Sequence, residues 1–332
     1  MFEQSIFYRL AQIVCRAVAV GFLGFSAAHA ADTYPSKVIR IIVPTSAATP
    51  PDIISRVIAA ELSKAEGWTV IVDNKPGAIG MIGGMEALKQ PADGYTLFAT
   101  SLPVAASPAL LPNMTYRLDT AFTPLIKLSV SYNVLVVNPS VPAKTVSELV
   151  AYLKSEPGKH TFSSNGFGTP AHLIGEMFKL QTGVQATHVP YNAMPQAIGD
   201  LVAGTNTFQF ITILPVVGLI NTGKLRALAV TAPKRIPILK DVPSIAEAGF
   251  PSLVAEDWVG LSVKTGTPPE IVARLNGAIN KALASAPVRE GFAKLGAEPA
   301  GGTPQSFGVY FNSELVHWAK AVKDAGITMR QP

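Results

Sequence analysis

The chain has 332 residues, 48% of them hydrophobic and 15% charged, with a formal charge of +5 and 27 each of glycine and proline. Ordinary globular domains carry about a quarter charged residues, so this apolar, weakly charged composition excludes a disordered chain. Glycine and proline follow no repeating period, which excludes collagen-like and low-complexity material, and the length suggests about two domains.

The N-terminus differs from the rest. Arg9 and Arg16 precede a run of small and apolar residues from Ala17 to Ala28, and Ala28-His29-Ala30 has the A-x-A form of a signal-peptidase site. Residues 1–30 read as a cleaved export signal rather than a membrane anchor, because the run is shorter than the roughly 20 apolar residues that span a bilayer. The single cysteine, Cys15, precedes the run and leaves with it. An exported domain without cysteine relies on neither disulfides nor thiolate chemistry, which suits a large periplasmic protein. Losing Glu3, Arg9 and Arg16 lowers the formal charge by only one. Lys and Arg then lie dispersed, which argues against a nucleic-acid surface and leaves an anionic small ligand open.

Short apolar, β-rich runs at 38–43, 69–73, 95–100 and 133–137 are expected strands, each followed by helical spacing. In the first helix Ile54, Val57, Ile58 and Leu62 share one face while Arg56 and Lys64 point away. The alternation resumes with strands at 161–164, 187–191, 208–213 and 225–231. A last strand at 257–263 precedes helices over 269–284 and 306–325. The longest apolar run after the leader, 208–220, contains Pro215 and reads as a strand and helix start rather than a membrane span. The pattern predicts an α/β protein with mainly parallel sheets flanked by helices. Proline-rich stretches at 138–142 and at Pro233, Pro237 and Pro243 suit stiff crossings between lobes. The expected organisation is therefore one discontinuous lobe, 31–138 plus 231–332, and a second lobe, 139–230, with a ligand cleft between them.

One local device recurs: an apolar strand, a short polar loop, then a helix opening on a capping residue and proline. In Thr45-Ser46-Ala47-Ala48-Thr49-Pro50-Pro51-Asp52, Thr49 is the expected N-cap and Asp52 its capping-box partner. In Ser163-Ser164-Asn165-Gly166-Phe167-Gly168-Thr169-Pro170, Thr169 caps a helix whose Leu173, Ile174, Met177 and Phe178 pack inward. Looser copies occur at Thr100-Ser101-Leu102-Pro103 and at Pro190-Tyr191-Asn192-Ala193-Met194-Pro195. Such loops present backbone N–H groups and hydroxyls at the positive end of a helix dipole, a ready anion site, although ordinary strand-to-helix turns share the pattern. The glycines from Gly77 to Gly84 have the wrong spacing for dinucleotide binding and suit close helix-to-sheet packing.

Several of these segments together resemble a known family. Tyr34-Pro35-Ser36-Lys37, Asn74-Lys75-Pro76-Gly77-Ala78, Ala92-Asp93-Gly94-Tyr95-Thr96-Leu97 and Val136-Val137-Asn138-Pro139-Ser140-Val141-Pro142 are similar to runs in the solute receptors of tripartite tricarboxylate transporters, the Bug-type receptors. So are His188-Val189-Pro190-Tyr191, the run from Gly223 to Thr231, and Leu295-Gly296-Ala297-Glu298-Pro299. The resemblance covers nearly all of the chain after the leader. It implies a monomeric, two-lobed periplasmic binding protein of type II-like architecture, which closes on a small organic carboxylate and delivers it to a membrane permease of one large and one small subunit. The ligand loops it implies are Thr45, Ser46, Ala47, Ala48 and Asp52, then Ser101, then Ser163, Ser164, Asn165, Gly168 and Thr169, then Tyr191 and Asn192. Family members usually carry Gly-Gly where this chain has Ala48-Thr49, and often an acidic residue near Thr212. Extra methyls and a missing acid imply a ligand without an ammonium group, aromatic or otherwise bulky.

Other classes remain open at this stage. A ligand-loaded sensor for a periplasmic signalling domain would use the same cleft. A hydrolase reading could pair Ser163 with His188, although no G-x-S-x-G, H-E-x-x-H or P-loop motif is present. His160, His172, His188 and His317 lack metal-ligand spacing, so neither metal nor cofactor is expected, and His172 and His317 read as helix-surface or capping residues. Trp258 and Tyr191 could stack on a flat ligand or lie in the core.

Overall fold

A computed structural model describes residues 34–327, so the expected export signal and Cys15 lie outside the described residues. Residues 34–37 form a short bend with a cis Tyr34–Pro35 peptide. From Val38 onward the chain alternates strand and helix: β1 (Ile39–Val43), α1 (Pro50–Glu66), β2 (Val70–Asn74), α2 (Met81–Leu88), β3 (Thr96–Ser101), α3 (Leu102–Leu110), α4 (Leu118–Ala121) and β4 (Phe122–Val137). There follow α5 (Val146–Ser155), β5 (His160–Ser164), α6 (Pro170–Thr182), β6 (Ala186–Pro190), α7 (Met194–Val202), β7 (Phe208–Thr212), α8 (Leu214–Asn221) and β8 (Arg226–Val230). The chain ends with β9 (Glu256–Lys264), α9 (Pro269–Leu283), α10 (Ala286–Ala293), β10 (Glu298–Pro299) and α11 (Pro304–Asp324). Among the described residues no helix is long and apolar enough to cross a membrane.

The strands form one sheet in the order β2-β1-β3-β9-β4-β7-β5-β6, with β8 and β10 pairing with β4. The flanks are parallel, β1 with β2 and β3, and β5 with β6 and β7. The middle is antiparallel, which the expectation of mainly parallel sheets did not include: β9 runs against β3 and β4, and β4 runs against β7, β8 and β10. A parallel strand needs a crossover helix, and here each flank is a βα series turned toward the other by one shared central strand.

That strand is β4. It has 16 residues, against an expected five at 133–137. Its first part pairs with β9 as far as Tyr132 opposite Glu256, and from Asn133, opposite Thr212, it pairs with β7. One strand thus belongs to both halves of the sheet. Proline at 124 and register shifts at Pro124/Ile126 and Lys127/Ser129 break the alternation that would have announced a strand.

The two halves carry their own helices. Phe162, Phe208 and Phe210 are fully buried beneath α6, which contributes the equally buried Phe178, in the β5–β7 half. In the other half α1 packs on α9 and α10, and α3 on α11. Trp258 belongs to this core: it is fully buried, its Nε1 donates to Glu314 of α11 at 2.8 Å, and Phe307, Tyr310 and Phe311 meet its ring edge-on.

Thr231 staples the point where β4 changes partners. Its hydroxyl accepts from the Asn133 N–H at 3.0 Å and donates to the Ala255 carbonyl at 2.9 Å. Its own N–H donates to the Asn133 carbonyl at 2.8 Å, and its carbonyl accepts from the Ala255 N–H at 3.0 Å. The residue is fully buried, so Thr231→Val leaves one N–H and one carbonyl without a partner or water. A loss of about 3 kcal/mol is expected in denaturant unfolding, with Thr231→Ser close to the native value; equal stability of the valine variant would show that the staple is not needed.

Candidate functional site

The candidate residues lie at strand ends, and each loop is held by a different set of bonds. The first loop leaves β1 through the buried Pro44 and enters α1 at Pro50. Thr49 is the N-cap by position, with extended backbone, but its hydroxyl does not cap. It donates instead to the Ser46 carbonyl at 2.8 Å, so the Thr45 hydroxyl, 2.7 Å away, must be the donor to Thr49. The expected capping box is absent because the threonine turns back into its own loop. Pro50 and Pro51 also remove two N–H groups from the first turn of α1. The donors toward a ligand therefore belong to the loop more than to the helix.

Asp52 holds that loop. It is 2% exposed; Oδ2 accepts from the Ala48 N–H at 2.9 Å, and Oδ1 accepts from Arg56 Nε at 3.0 Å and Asn74 Nδ2 at 2.9 Å. Asn74 Nδ2 also reaches the Thr45 carbonyl at 3.0 Å, and Asn74 Oδ1 accepts from Arg56 at 2.9 Å. Burial pushes the Asp52 carboxyl up, but the bonds from Arg56, Asn74 and Ala48 outweigh it and leave it below its ordinary value. Asp52, Asn74 and Arg56 thus anchor the loop to the end of β2, and Ser46, Ala47 and Ala48 remain exposed. The sequence reading included Asp52 and missed Asn74, whose only signal is an amide-bearing residue at a strand end. Asp52→Asn, which weakens three charge-assisted bonds, is expected to lower stability by about 2 kcal/mol in denaturant unfolding.

The second loop repeats the turned-back threonine. Thr169 donates to the Gly166 carbonyl at 2.7 Å, three residues back as at Thr49 and Ser46, and its oxygen also faces the His172 N–H at 3.5 Å as a long cap. Beneath it lie two stacked imidazoles, His172 and His188, with centroids 4.2 Å apart and Phe162 and Phe167 against their faces and edges. His172 is buried rather than on the helix surface, and its Nδ1 accepts from the Gly168 N–H at 3.1 Å. His188 Nε2 lies 2.6 Å from the Ser164 hydroxyl, which is also 3.0 Å from the Gly166 carbonyl. We assign the proton of His188 to Nε2, because its buried Nδ1 has no partner and an orphaned lone pair costs less than an orphaned N–H.

That arrangement does not fit a hydrolase. The serine that meets His188 is Ser164, not Ser163, its hydroxyl proton points to a carbonyl, and no acid orients the ring at Nδ1. Ser163 is fully buried on the opposite face of β5, in register with Gln209.

Burial first, then His172 and Lys179, pull His188 down to about 3, and burial with Lys179 pulls His172 down to about 4. Both rings are neutral in the fold. Between those values and 6.5 the unfolded chain holds more protons than the folded one, so stability falls as the pH is lowered through that window. Proton NMR is expected to show both imidazoles neutral at pH 5, with the thermal midpoint lower at pH 4.5 than at 7.5; a midpoint near 6.5 for either ring would refute the burial argument.

The remaining candidates divide. Tyr191 joins the loops through its backbone, N–H to the Ser164 carbonyl at 2.9 Å. Its ring is not offered to a ligand: the hydroxyl donates to Asp200 and accepts from Asn206, both at 2.7 Å, and the residue is buried. Asn165 and Asn192 are exposed, Ser101 is buried at the end of β3, and Thr212 is half-buried at the end of β7 opposite Asn133. Among the described residues no group of three His, Cys, Asp or Glu side chains could hold a metal ion.

Residues 54–327 match the family model of the tripartite tricarboxylate transporter family receptor, TctC. The chain belongs to this family. It is 35% identical over 315 residues to the protein BugT of Bordetella pertussis strain Tohama I, covering 94% of this chain and 97% of that one. Among solved structures it is similar to Rpa4515 of R. palustris with adipate, at 34% identity and TM-score 0.78, covering 89% of this chain and 100% of that one. It is also similar to MatC (Rpa3494) of Rhodopseudomonas palustris with bound malate, at 30% identity and TM-score 0.75, covering 87% and 100%. A TctC-family chain is a periplasmic solute-binding receptor.

Proposed function

We propose that this receptor closes two lobes on a small carboxylate without an ammonium group and hands it to a permease of one large and one small subunit, acting as a monomer and not as an enzyme. One lobe is the β1–β3–β9 half and the other the β5–β7 half, joined along β4. The bonds of residues 243–245 along β8 and the contact of Phe250 with Phe178 of α6 support a return crossing near Ala255, where near 231 is the expectation from the sequence.

The observation that carries the reading is the imbalance of donors and acceptors in the loops. The acid of the candidate set, Asp52, spends both oxygens on Ala48, Arg56 and Asn74, while exposed Ser46, Asn165 and Asn192 and the loop amides remain. Such a set suits an anion and leaves no carboxylate for an ammonium partner. Adipate and malate in the related structures are dicarboxylates of that kind. Micromolar binding requires about −8 kcal/mol, within reach of several charge-assisted bonds of about 1.5–3 kcal/mol each after ordering costs.

A thermal-shift and calorimetric panel of mono-, di- and tricarboxylates, aliphatic and aromatic, with aspartate and glutamate included, tests it. A carboxylate at a hundred times its dissociation constant should stabilise the fold by about 2.7 kcal/mol. Thr169→Asp, which puts a negative charge on the second loop, is expected to weaken that ligand at least tenfold while Thr169→Ser does not. Binding of aspartate or glutamate alone would overturn the reading.

A further inference from the structure

A tight turn joins β2 to α2. It runs through four successive residues with positive φ, Gly77 at 125°, Ala78 at 45°, Ile79 at 48° and Gly80 at 93°. A β-branched side chain is strongly disfavoured at such an angle, so Ile79 persists only because its surroundings over-determine it. On one side the turn is packed on the root of the first ligand loop: a Cβ on Gly80 would lie 2.8 Å from Val104 Cγ2 and 3.3 Å from Pro44 Cβ, and one on Gly83 3.0 Å from Pro44 Cβ. On the other side Ile79 reaches the second ligand loop. A Cβ on Gly168 would lie 3.0 Å from Ile79 Cδ1 and 3.5 Å from its Cγ1. Gly168 is itself held, with φ 73° and its N–H given to His172.

We infer that Ile79 is a clasp across the cleft, an apolar contact onto Gly168 that sets how tightly the closed receptor holds its ligand; this rests on the two-lobe reading above. Glycine at 79 would be at ease in the turn, and what isoleucine adds is a side chain that packs on the core beside the turn and reaches the opposite loop. Gly168 lacks a Cβ where that side chain arrives, so the contact fits only this pair. A residue kept for packing within its own half would stabilise the ligand-free fold; a clasp acts on the closed, loaded form.

Calorimetry with adipate and malate as probes and thermal unfolding without ligand separate these roles. Ile79→Gly is expected to weaken binding about tenfold while leaving the ligand-free unfolding midpoint nearly unchanged, because relief of the strained angle offsets the lost packing on the core. Gly168→Ala, which pushes a methyl to 3.0 Å from Ile79 Cδ1, is expected to weaken binding by crowding the contact, and the double variant to lose no more than the worse single one, since Ile79→Gly removes the side chain that the new methyl meets. Unchanged affinity in Ile79→Gly, a parallel fall of its ligand-free midpoint, or losses that multiply in the double variant would overturn the clasp. If neither probe binds the native protein, a carboxylate from the panel above replaces them; if none of the panel binds, the carboxylate reading fails by itself, and the clasp is judged from a nuclear Overhauser contact between the Ile79 δ-methyl and the Gly168 α-protons. Its presence supports the clasp, and its absence overturns it.

Discussion

Everything at the strand ends depends on β4 being a single strand shared by two half-sheets. Its pairing passes from β9 to β7 between Tyr132 and Asn133, so the ends of β3 and β7 are set by the same few residues of backbone. A rotation of one half about this strand moves every loop of that half together. Thr231 fixes that point of β4: it bonds Asn133 and Ala255 at once, which ties two distant stretches of chain at one buried residue.

The two main strand-end loops are built on one device. Both main loops use a threonine turned back to a carbonyl three residues earlier, Thr49 to Ser46 and Thr169 to Gly166, followed by proline. The turned-back hydroxyl shapes the loop and leaves neighbouring amides outward. Each loop then has its own buttress. A charged network of Asp52, Asn74 and Arg56 supports the first, and two neutral imidazoles support the second. The difference matters electrostatically. The carboxylate under the first loop has its charge met by Arg56, so it does not repel an anion, while the histidines, held neutral by burial, contribute shape and no charge.

Much of this was legible in the chain because the relevant signals are local. Strands such as IRIIV at Ile39–Val43 and the Thr-Pro helix starts announce themselves within a few residues. What was not legible depends on distance. The first part of β4 hides behind Pro124 and its bulges, and its partners lie more than a hundred residues on. Asn74 gains its role only by meeting Asp52, 22 positions earlier. Local pattern also misled in two places: Thr49 has a capping residue's identity and position but a competing carbonyl within reach, and Tyr191 sits at a strand end while its hydroxyl finds Asp200 and Asn206 below.

The conformational cost of the site points to what its walls are made of. Ala48 in the first loop has φ 64°, and Ala78 and Ile79 in the neighbouring turn have 45° and 48°. Each sits where glycine would be more comfortable by about 1–2 kcal/mol. A chain that needed only backbone donors at these places would relax to glycine. Side chains retained at left-handed positions on both sides of Pro44 therefore narrow the space around the donors. Under the carboxylate reading proposed above, backbone and hydroxyl groups would set the charge that is accepted and these apolar additions the shape that follows it in.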